Sequence, residues 1–284
     1  MMNARMIDVR KWASSFLEKN GRESRVADLM LMHLLQVEWS EFLMMQQDEL
    51  SEDVYRQLQL WVEEHAATGK PLEHFTNEAE FYGRKFYVDK HVLIPRPETE
   101  ELVVEVIEQL RDRTDDLVIA DLGTGSGVIA LTLKAELREA EVYATDFSEN
   151  ALRVARKNAN LLGEDVHFYQ GDFLQPLMIN DVAPNVVVSN PPYIPESERV
   201  RLSETVLHDP GVALFADSDG LAAYEMIIGQ VMQLGKRPEL VVFEIGHDQG
   251  ESVPALIRAI DREANVRVVK DINGKDRIVV WHVG

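Results

Sequence analysis

The 284-residue chain contains no cysteine. A disulfide framework, a thiol nucleophile and thiolate metal ligation are therefore excluded, and the eight histidines are scattered without the spacing of a metal site. No structural metal is expected. No stretch approaches the roughly 18 consecutive apolar residues of a membrane span, and Met1 to Arg10 lacks an apolar signal region. A cytoplasmic protein with no membrane partner is expected. Basic residues are also scarce: 29 Lys and Arg stand against 49 Asp and Glu, for a formal net charge of −20. Such a surface repels a phosphate backbone, so direct nucleic-acid binding is not expected. The acidity runs through the whole chain, and solubility explains it as well as a basic partner does. What remains is an apolar content of 45%, enough for a core, in a length that suits one medium and one small domain.

The most informative residues present are Asn190-Pro191-Pro192-Tyr193, directly after the apolar run Val186-Val187-Val188-Ser189. By composition alone this tetrapeptide arises in roughly one chain in a thousand of this length. Two prolines contribute no N–H and keep the backbone extended. The strand end then presents carbonyl oxygens, an Asn side-chain oxygen and an aromatic ring, a surface for a flat substrate bearing an NH2 group. A Pro-rich turn that merely stops a buried strand is the competing explanation.

A second stretch, Val118 to Gly127, ends an apolar strand in Asp121-Leu122-Gly123-Thr124-Gly125-Ser126-Gly127 and opens a helix from Val128 to Leu133. Gly123, Thr124, Gly125, Ser126 and Gly127 form a loop whose backbone can pass close to a nucleotide-type ligand. A dinucleotide fingerprint needs its third Gly one residue later, where Val128 stands, so a pyrophosphate is disfavoured. The next strand, Glu141 to Asp146, ends in an acid 23 positions after Gly123, placed to accept both hydroxyls of a ribose or to cap the helix starting near Ser148. After the strand His167 to Gln170, Asp172 can accept an adenine amino group and Phe173 can stack on the ring. An ordinary loop with a buried anchor is equally compatible with Asp172 and Phe173. Adenine and ribose without pyrophosphate, next to an acceptor-lined strand end, point to S-adenosylmethionine rather than a nicotinamide dinucleotide.

With Leu93 to Glu100 (Leu-Ile-Pro-Arg-Pro-Glu-Thr-Glu), Asp121 to Gly127, Asn190 to Ile194, Asp219-Gly220-Leu221, Glu244-Ile245-Gly246 and Asp276-Arg277 in this order, nearly the whole chain resembles the release-factor glutamine methyltransferases, class I S-adenosylmethionine-dependent enzymes. Ala216-Asp217 replaces glycines usual in that family. The resemblance implies methyl transfer to the side-chain nitrogen of the Gln in the Gly-Gly-Gln motif of peptide-chain release factors, the protein partner. On that reading Asn190 and Pro191 accept the amide N–H bonds through side-chain and main-chain oxygens, Tyr193 packs on the amide, and Asn190 to Tyr193 form the substrate seat. Asn190 also borders the cofactor. Two other functions remain compatible with the residues: an amino-methyltransferase acting on adenine in DNA or RNA, and a non-catalytic S-adenosylmethionine-binding protein.

The coarse organisation changes near residue 75. Before it, apolar residues recur at helical spacing (Val9, Trp12, Ala13, Phe16, Leu17; Val26, Leu29, Met30, His33, Leu34, Val37), with Ser24, Ser40 and Ser51 as N-caps. Residues 1–75 are expected to form a small helical domain, a candidate for substrate recognition, and 76–96 a β-hairpin linker with Gly83 near its turn. Residues 97–284 form the catalytic domain. Pro97 opens a helix whose Glu98 and Glu100 suit its positive end, and Arg96 is a candidate to face the cofactor cleft. Strands near 117–121, 141–146, 166–170, 185–190 and 239–244 alternate with helices, as in a parallel sheet. Asn273-Gly274 joins Val266–Ile272 to Arg277–Val283 as a hairpin, so the last strand should run antiparallel. The fold class is α/β, a Rossmann-like methyltransferase domain with a mostly parallel seven-stranded sheet and a helical bundle before it.

Overall fold

A computed structural model describes residues 5–113 and 116–284; the first four positions of the expected helical segment lie outside the described residues. The chain forms two compact units, one of residues up to Glu78 with Ser203–His208, the other of Ala79–Leu202 with Asp209–Gly284. Among the described residues no helix is long and apolar enough to cross a membrane.

The first unit holds α1 (Met6–Lys19), α2 (Arg25–Leu35), α3 (Trp39–Met44), α4 (Glu52–Thr68) and α5 (Glu73–Thr76). Its core follows the helical period: Met6, Val9, Ala13 and Leu17 from α1 meet Met30 and Leu31 of α2 and Leu58 and Val62 of α4. His33 is half-buried, its ring 5.9 Å from that of Trp61. Ser51 caps α4 by accepting from the Val54 N–H at 3.3 Å, worth about 1 kcal/mol. Ser24 makes no such bond, and Ser40 lies inside α3, which starts one residue earlier after Glu38. Gly69 ends α4 at φ +68°. The segment Ser203–His208 joins this unit through an Arg22–Glu204 ion pair at 2.7 Å and a His208 Nε2 contact with the Thr68 carbonyl at 2.9 Å.

The second unit begins with the hairpin β1 (Glu78–Phe81) and β2 (Arg84–Tyr87), with Gly83 at its turn. The hairpin is built into this unit rather than standing as a linker over 76–96: Phe81 and Phe86 lie in its core, and the Tyr82 N–H donates to Glu100 Oε1 at 2.8 Å. That contact gives Glu100 a tethering task beyond the helix dipole. Then follow α6 (Pro97–Leu110), β3 (Val118–Leu122), α7 (Val128–Glu136), β4 (Glu141–Asp146), α8 (Glu149–Leu162), β5 (His167–Gln170), α9 (Gln175–Ile179) and β6 (Val186–Ser189). A loop carries the two-residue strands β7 (Ile194–Pro195) and β8 (Phe215–Ala216), around the short α10 (Gly211–Leu214), and ends in the turn α11 (Asp217–Gly220). The chain closes with α12 (Ala222–Gln233), β9 (Leu240–Glu244), α13 (Ser252–Ile260), β10 (Asn265–Lys270) and β11 (Asp276–His282).

Seven strands form one sheet in the order β10-β11-β9-β6-β3-β4-β5. The pairs β9–β6, β6–β3, β3–β4 and β4–β5 are parallel, and β11 is antiparallel to both β9 and β10. Alternation along each strand sends side chains to opposite faces. Ile119, Val186, Val188 and Val242 pack with α6 and α7 on one face. Ala120, Val187, Val241 and Phe243 pack with α12 and α13 on the other. Burial on both faces is why these strands read as continuous apolar runs.

Candidate active site

The carboxyl ends of β3, β4, β5 and β6 converge on a cavity of about 280 Å³. The strand order reverses between β3 and β6, and such switch points are where ligands bind in open α/β sheets. Gly123, Thr124, Gly125, Ser126, Asp146, Asp172, Phe173, Asn190 and Pro192 all line it. Three of the expected site residues do not: Gly127, Pro191 and Tyr193.

Each exception has a steric cause. A Cβ on Gly127, at φ +84°, would meet Leu131 Cδ1 at 3.0 Å and Ala155 Cβ at 3.2 Å, so this glycine lets α7 and α8 approach each other. Packing of the two helices is thus one reason for glycine at this position. In the extended segment after β6 successive side chains point to opposite sides. Asn190 and Pro192 turn to the cavity, while Pro191 is buried and Tyr193 packs at the edge of the core around α12. Burial, aided by nearby Glu244, pushes the Tyr193 hydroxyl up to about 12.

The loop after β3 is fastened from two directions. The Gly125 N–H donates to Asp146 Oδ2 at 2.9 Å, and the Ser148 N–H donates to Asp146 Oδ1 at 2.8 Å. Ser148, not Asp146, caps α8, accepting from the Ala151 N–H at 3.2 Å. Each Asp146 oxygen thus keeps capacity for one more donor, the fit a ribose diol needs. Beneath the loop, fully buried Asp121 accepts from Thr124 Oγ1 at 2.6 Å and the Ala130 N–H at 3.2 Å, while its Oδ1 has no partner. Burial pushes Asp121 up to about 7, against those donors and with a further upward push from Asp146. Asp146 itself is raised by burial, opposed by the Ser148 and Gly125 N–H groups. The sequence pattern signalled Asp146 through its spacing; Asp121, at an ordinary strand end, gave no comparable signal.

Two further tethers shape the walls. Phe173 is held at φ +48°, a conformation that costs a bulky residue of order 1 kcal/mol or more. Gln230 braces that turn, its Oε1 accepting from the Leu174 N–H at 2.7 Å and its Nε2 donating to the Asp172 carbonyl at 3.4 Å. Gln249 Nε2 donates to the Tyr193 carbonyl at 3.2 Å and the Gly220 carbonyl at 3.3 Å, while its Oε1 accepts from the Gly246 N–H at 2.9 Å. A Cβ on Gly220 would lie 2.2 Å from the Tyr193 carbonyl oxygen, so only glycine permits this approach. Asp219-Gly220, Glu244-Ile245-Gly246 and Asn190 to Tyr193 are thereby one assembly. Arg96 lines the cavity, and its Nη2 donates to the buried Asp209 at 2.6 Å.

The charges decide which cofactor fits. Among the described residues the only Lys or Arg in the lining is Arg96, already paired with Asp209, whereas Asp146 and Asp172 bring acidic groups to it. An adenine-ribose ligand with a cationic centre suits that environment. The fold and this site define a class I methyltransferase, and its cofactor is S-adenosylmethionine. Residues 8–76 match the family model of the PrmC N-terminal domain and residues 100–217 that of the methyltransferase small domain. The release factor glutamine methyltransferase of Bacillus cereus is 41% identical over 97% of this chain and 98% of its own length, and that of Bacillus subtilis 43% identical over 95% and 94%. The hMettl16 catalytic domain shares the fold, with a TM-score of 0.56 at 15% identity over 84% of each chain. The chain belongs to the release factor glutamine methyltransferase family.

Proposed function

We propose that this enzyme methylates the side-chain amide nitrogen of the Gln in the Gly-Gly-Gln motif of peptide-chain release factors. The observation that carries the reading is that Asn190 and Asp146 share one cavity, so an amide-binding group faces the seat of the cofactor. Bound S-adenosylmethionine supplies an electrophilic methyl group on a sulfonium. An amide nitrogen is a weak nucleophile because its lone pair is delocalised into the carbonyl. Asn190 Nδ2 donates to Thr99 Oγ1 at 3.2 Å, which leaves Oδ1 to accept one N–H of the substrate amide. The Pro191 main-chain carbonyl is proposed as acceptor of the other. Two acceptors favour pyramidalisation at nitrogen and aim its lone pair at the methyl carbon. Positioning and local electrostatics then carry the rate, and the nitrogen loses its proton readily once it is cationic. Pro192 lines the cavity next to Asn190 and is proposed to pack beside the amide together with the edge of Tyr193.

The helical unit is proposed to hold intact release factor. A Gln between two glycines offers little area for affinity, and a second contact raises the effective concentration of the motif at the site. Trp39, Leu43 and Met44 of α3 are 44%, 47% and 78% exposed, an apolar face available for such a contact. The experiment for the proposed function is peptide mapping of a purified release factor after incubation with enzyme and S-adenosylmethionine. Methylation confined to the Gly-Gly-Gln glutamine is expected, and methylation elsewhere or none contradicts the reading.

A further inference from the structure

Glu244 ends β9 and is 1% exposed. Ser189 is level with Phe243 in the parallel β6–β9 pair, so Asn190 and Glu244 leave the sheet side by side. Thr99, buried in the first turn of α6, faces both: it accepts from Asn190 Nδ2, and its hydroxyl and the Asn190 amide are the donors that draw the Glu244 carboxyl down. Burial outweighs them and pushes Glu244 up to about 7, while its Oε2 has no partner. Arg277 opposes the rise, Glu98 adds to it, and Tyr193 and Tyr224 are the other titratable groups nearby. An acid buried this deeply beside the proposed amide-binding group needs an explanation.

We propose that Glu244 is a positioning residue for methyl transfer, fixing directly and through Thr99 which end of the Asn190 amide faces the cavity. The proposal rests on the reading that Asn190 Oδ1 accepts from the substrate amide. An ionised carboxylate only accepts hydrogen bonds, and a threonine hydroxyl has one hydrogen to give. With that hydrogen committed to Glu244, Thr99 Oγ1 can only accept from Asn190, which keeps Nδ2 inward and Oδ1 outward. When Glu244 is protonated its own hydrogen can go to Thr99, whose hydroxyl is then free to donate to Asn190 Oδ1. The amide can now turn over and set its NH2 group against the NH2 group of the substrate, two donors with nothing between them to accept. Ionised Glu244 therefore sustains the productive rotamer without touching substrate or cofactor.

The test is single-turnover methyl transfer to intact release factor at saturating S-adenosylmethionine from pH 5.5 to 8.5, for the parent, Thr99→Val, Glu244→Gln and Asn190→Ala, with cofactor affinity and melting temperature measured on each. The parent rate is expected to rise as pH increases through about 7. Glu244→Gln is expected to lose that step. Asp121 also sits near 7 but is present in all four proteins, and saturating cofactor removes its effect on affinity. Thr99→Val is expected to slow transfer roughly ten- to a hundredfold with cofactor affinity kept, the scale set by a misplaced reacting partner. If Thr99→Val and Glu244→Gln keep the parent rate and pH profile while Asn190→Ala is inactive, the proposal is wrong and the reading of Asn190 stands. An Asn190→Ala protein at the parent rate removes that reading and the proposal with it. A Glu244→Gln protein of lowered melting temperature that retains the pH step shows Glu244 to be structural and overturns the proposal.

Discussion

The Gly125 N–H donates to Asp146 Oδ2 at 2.9 Å, so the loop after β3 and the acid ending β4 are one rigid piece of the cavity wall. Asp146 therefore has two tasks, anchoring the loop and offering its remaining acceptor capacity to a ribose. Asp146→Ala is expected to weaken S-adenosylmethionine binding. Hydrogen bonds to a charged group are worth about 1.5 to 3 kcal/mol, or roughly ten- to a hundredfold in affinity. Asp146→Asn, which retains one acceptor oxygen, should lose less. Calorimetry compares the two; equal, parent-like affinities would reduce Asp146 to a loop anchor.

Asn190→Ala is expected to abolish methyl transfer while leaving the fold and most of the cofactor affinity intact, because its side chain acts on the reacting nitrogen and its loss falls on the chemical step. Single-turnover transfer of labelled methyl measures it. A rate within a few-fold of the parent would exclude the proposed role.

Cofactor affinity should fall as pH drops through about 7. Asp121 is raised to that value by burial, and a cationic ligand next to it favours the ionised form. Above 7 the ionised acid is already present; below it, binding must drive off a proton, costing up to about tenfold per pH unit. The same shift sets the sign for the unliganded protein. A carboxyl whose folded pKa is raised above its unfolded value contributes stability below the unfolded value and loses it as pH rises through the folded one. The melting temperature without cofactor should therefore decline between pH 5 and 8, and Asp121→Asn should flatten both profiles. A pH-independent affinity in the parent would show that Asp121 does not sense the ligand.

Gly127→Ala separates packing from binding. The new methyl would crowd Leu131 and Ala155 at a left-handed position, a strain of about 1 to 3 kcal/mol. Thermal denaturation should show a lowered midpoint, with cofactor affinity changed less than in Asp146→Ala. The reverse order of effects would return Gly127 to the ligand site.

Replacing Trp39, Leu43 and Met44 together by Ser should raise KM for intact release factor and leave the rate on a short Gly-Gly-Gln peptide unchanged. The three side chains are exposed, so the fold is expected to be kept, and a circular dichroism spectrum checks it. An unaltered KM for intact release factor would remove α3 from the docking surface.

The sheet was legible in the sequence because its strands are buried on both faces, so Val118 to Leu122 and Val186 to Ser189 appear as short apolar runs closed by Gly or Pro. The antiparallel sense of β11 was legible from the Asn273-Gly274 turn; its insertion between β9 and β10 depends on pairing with β9, which local pattern does not encode. At the site, Asp146 and Asn190 were marked by spacing and rarity. Tyr193 lies outside the cavity lining, because alternation along the extended segment turns it from Asn190, and adjacency in sequence does not show this. Asp121 and Glu244 look like any strand-terminal acids. Their special environment comes from burial between neighbouring strands and helices, with Thr124 folded back from the loop after β3 onto Asp121 and Thr99 of α6 set beside Glu244.

The most direct measurement is transfer of a labelled methyl group from S-adenosylmethionine to purified release factor, DNA and RNA in parallel under identical conditions. Label is expected only in the release factor, on the Gly-Gly-Gln glutamine, and in none of it when that residue is replaced by Ala. Label on adenine in either nucleic acid, or undiminished label on the Gln-to-Ala release factor, would contradict the assigned substrate.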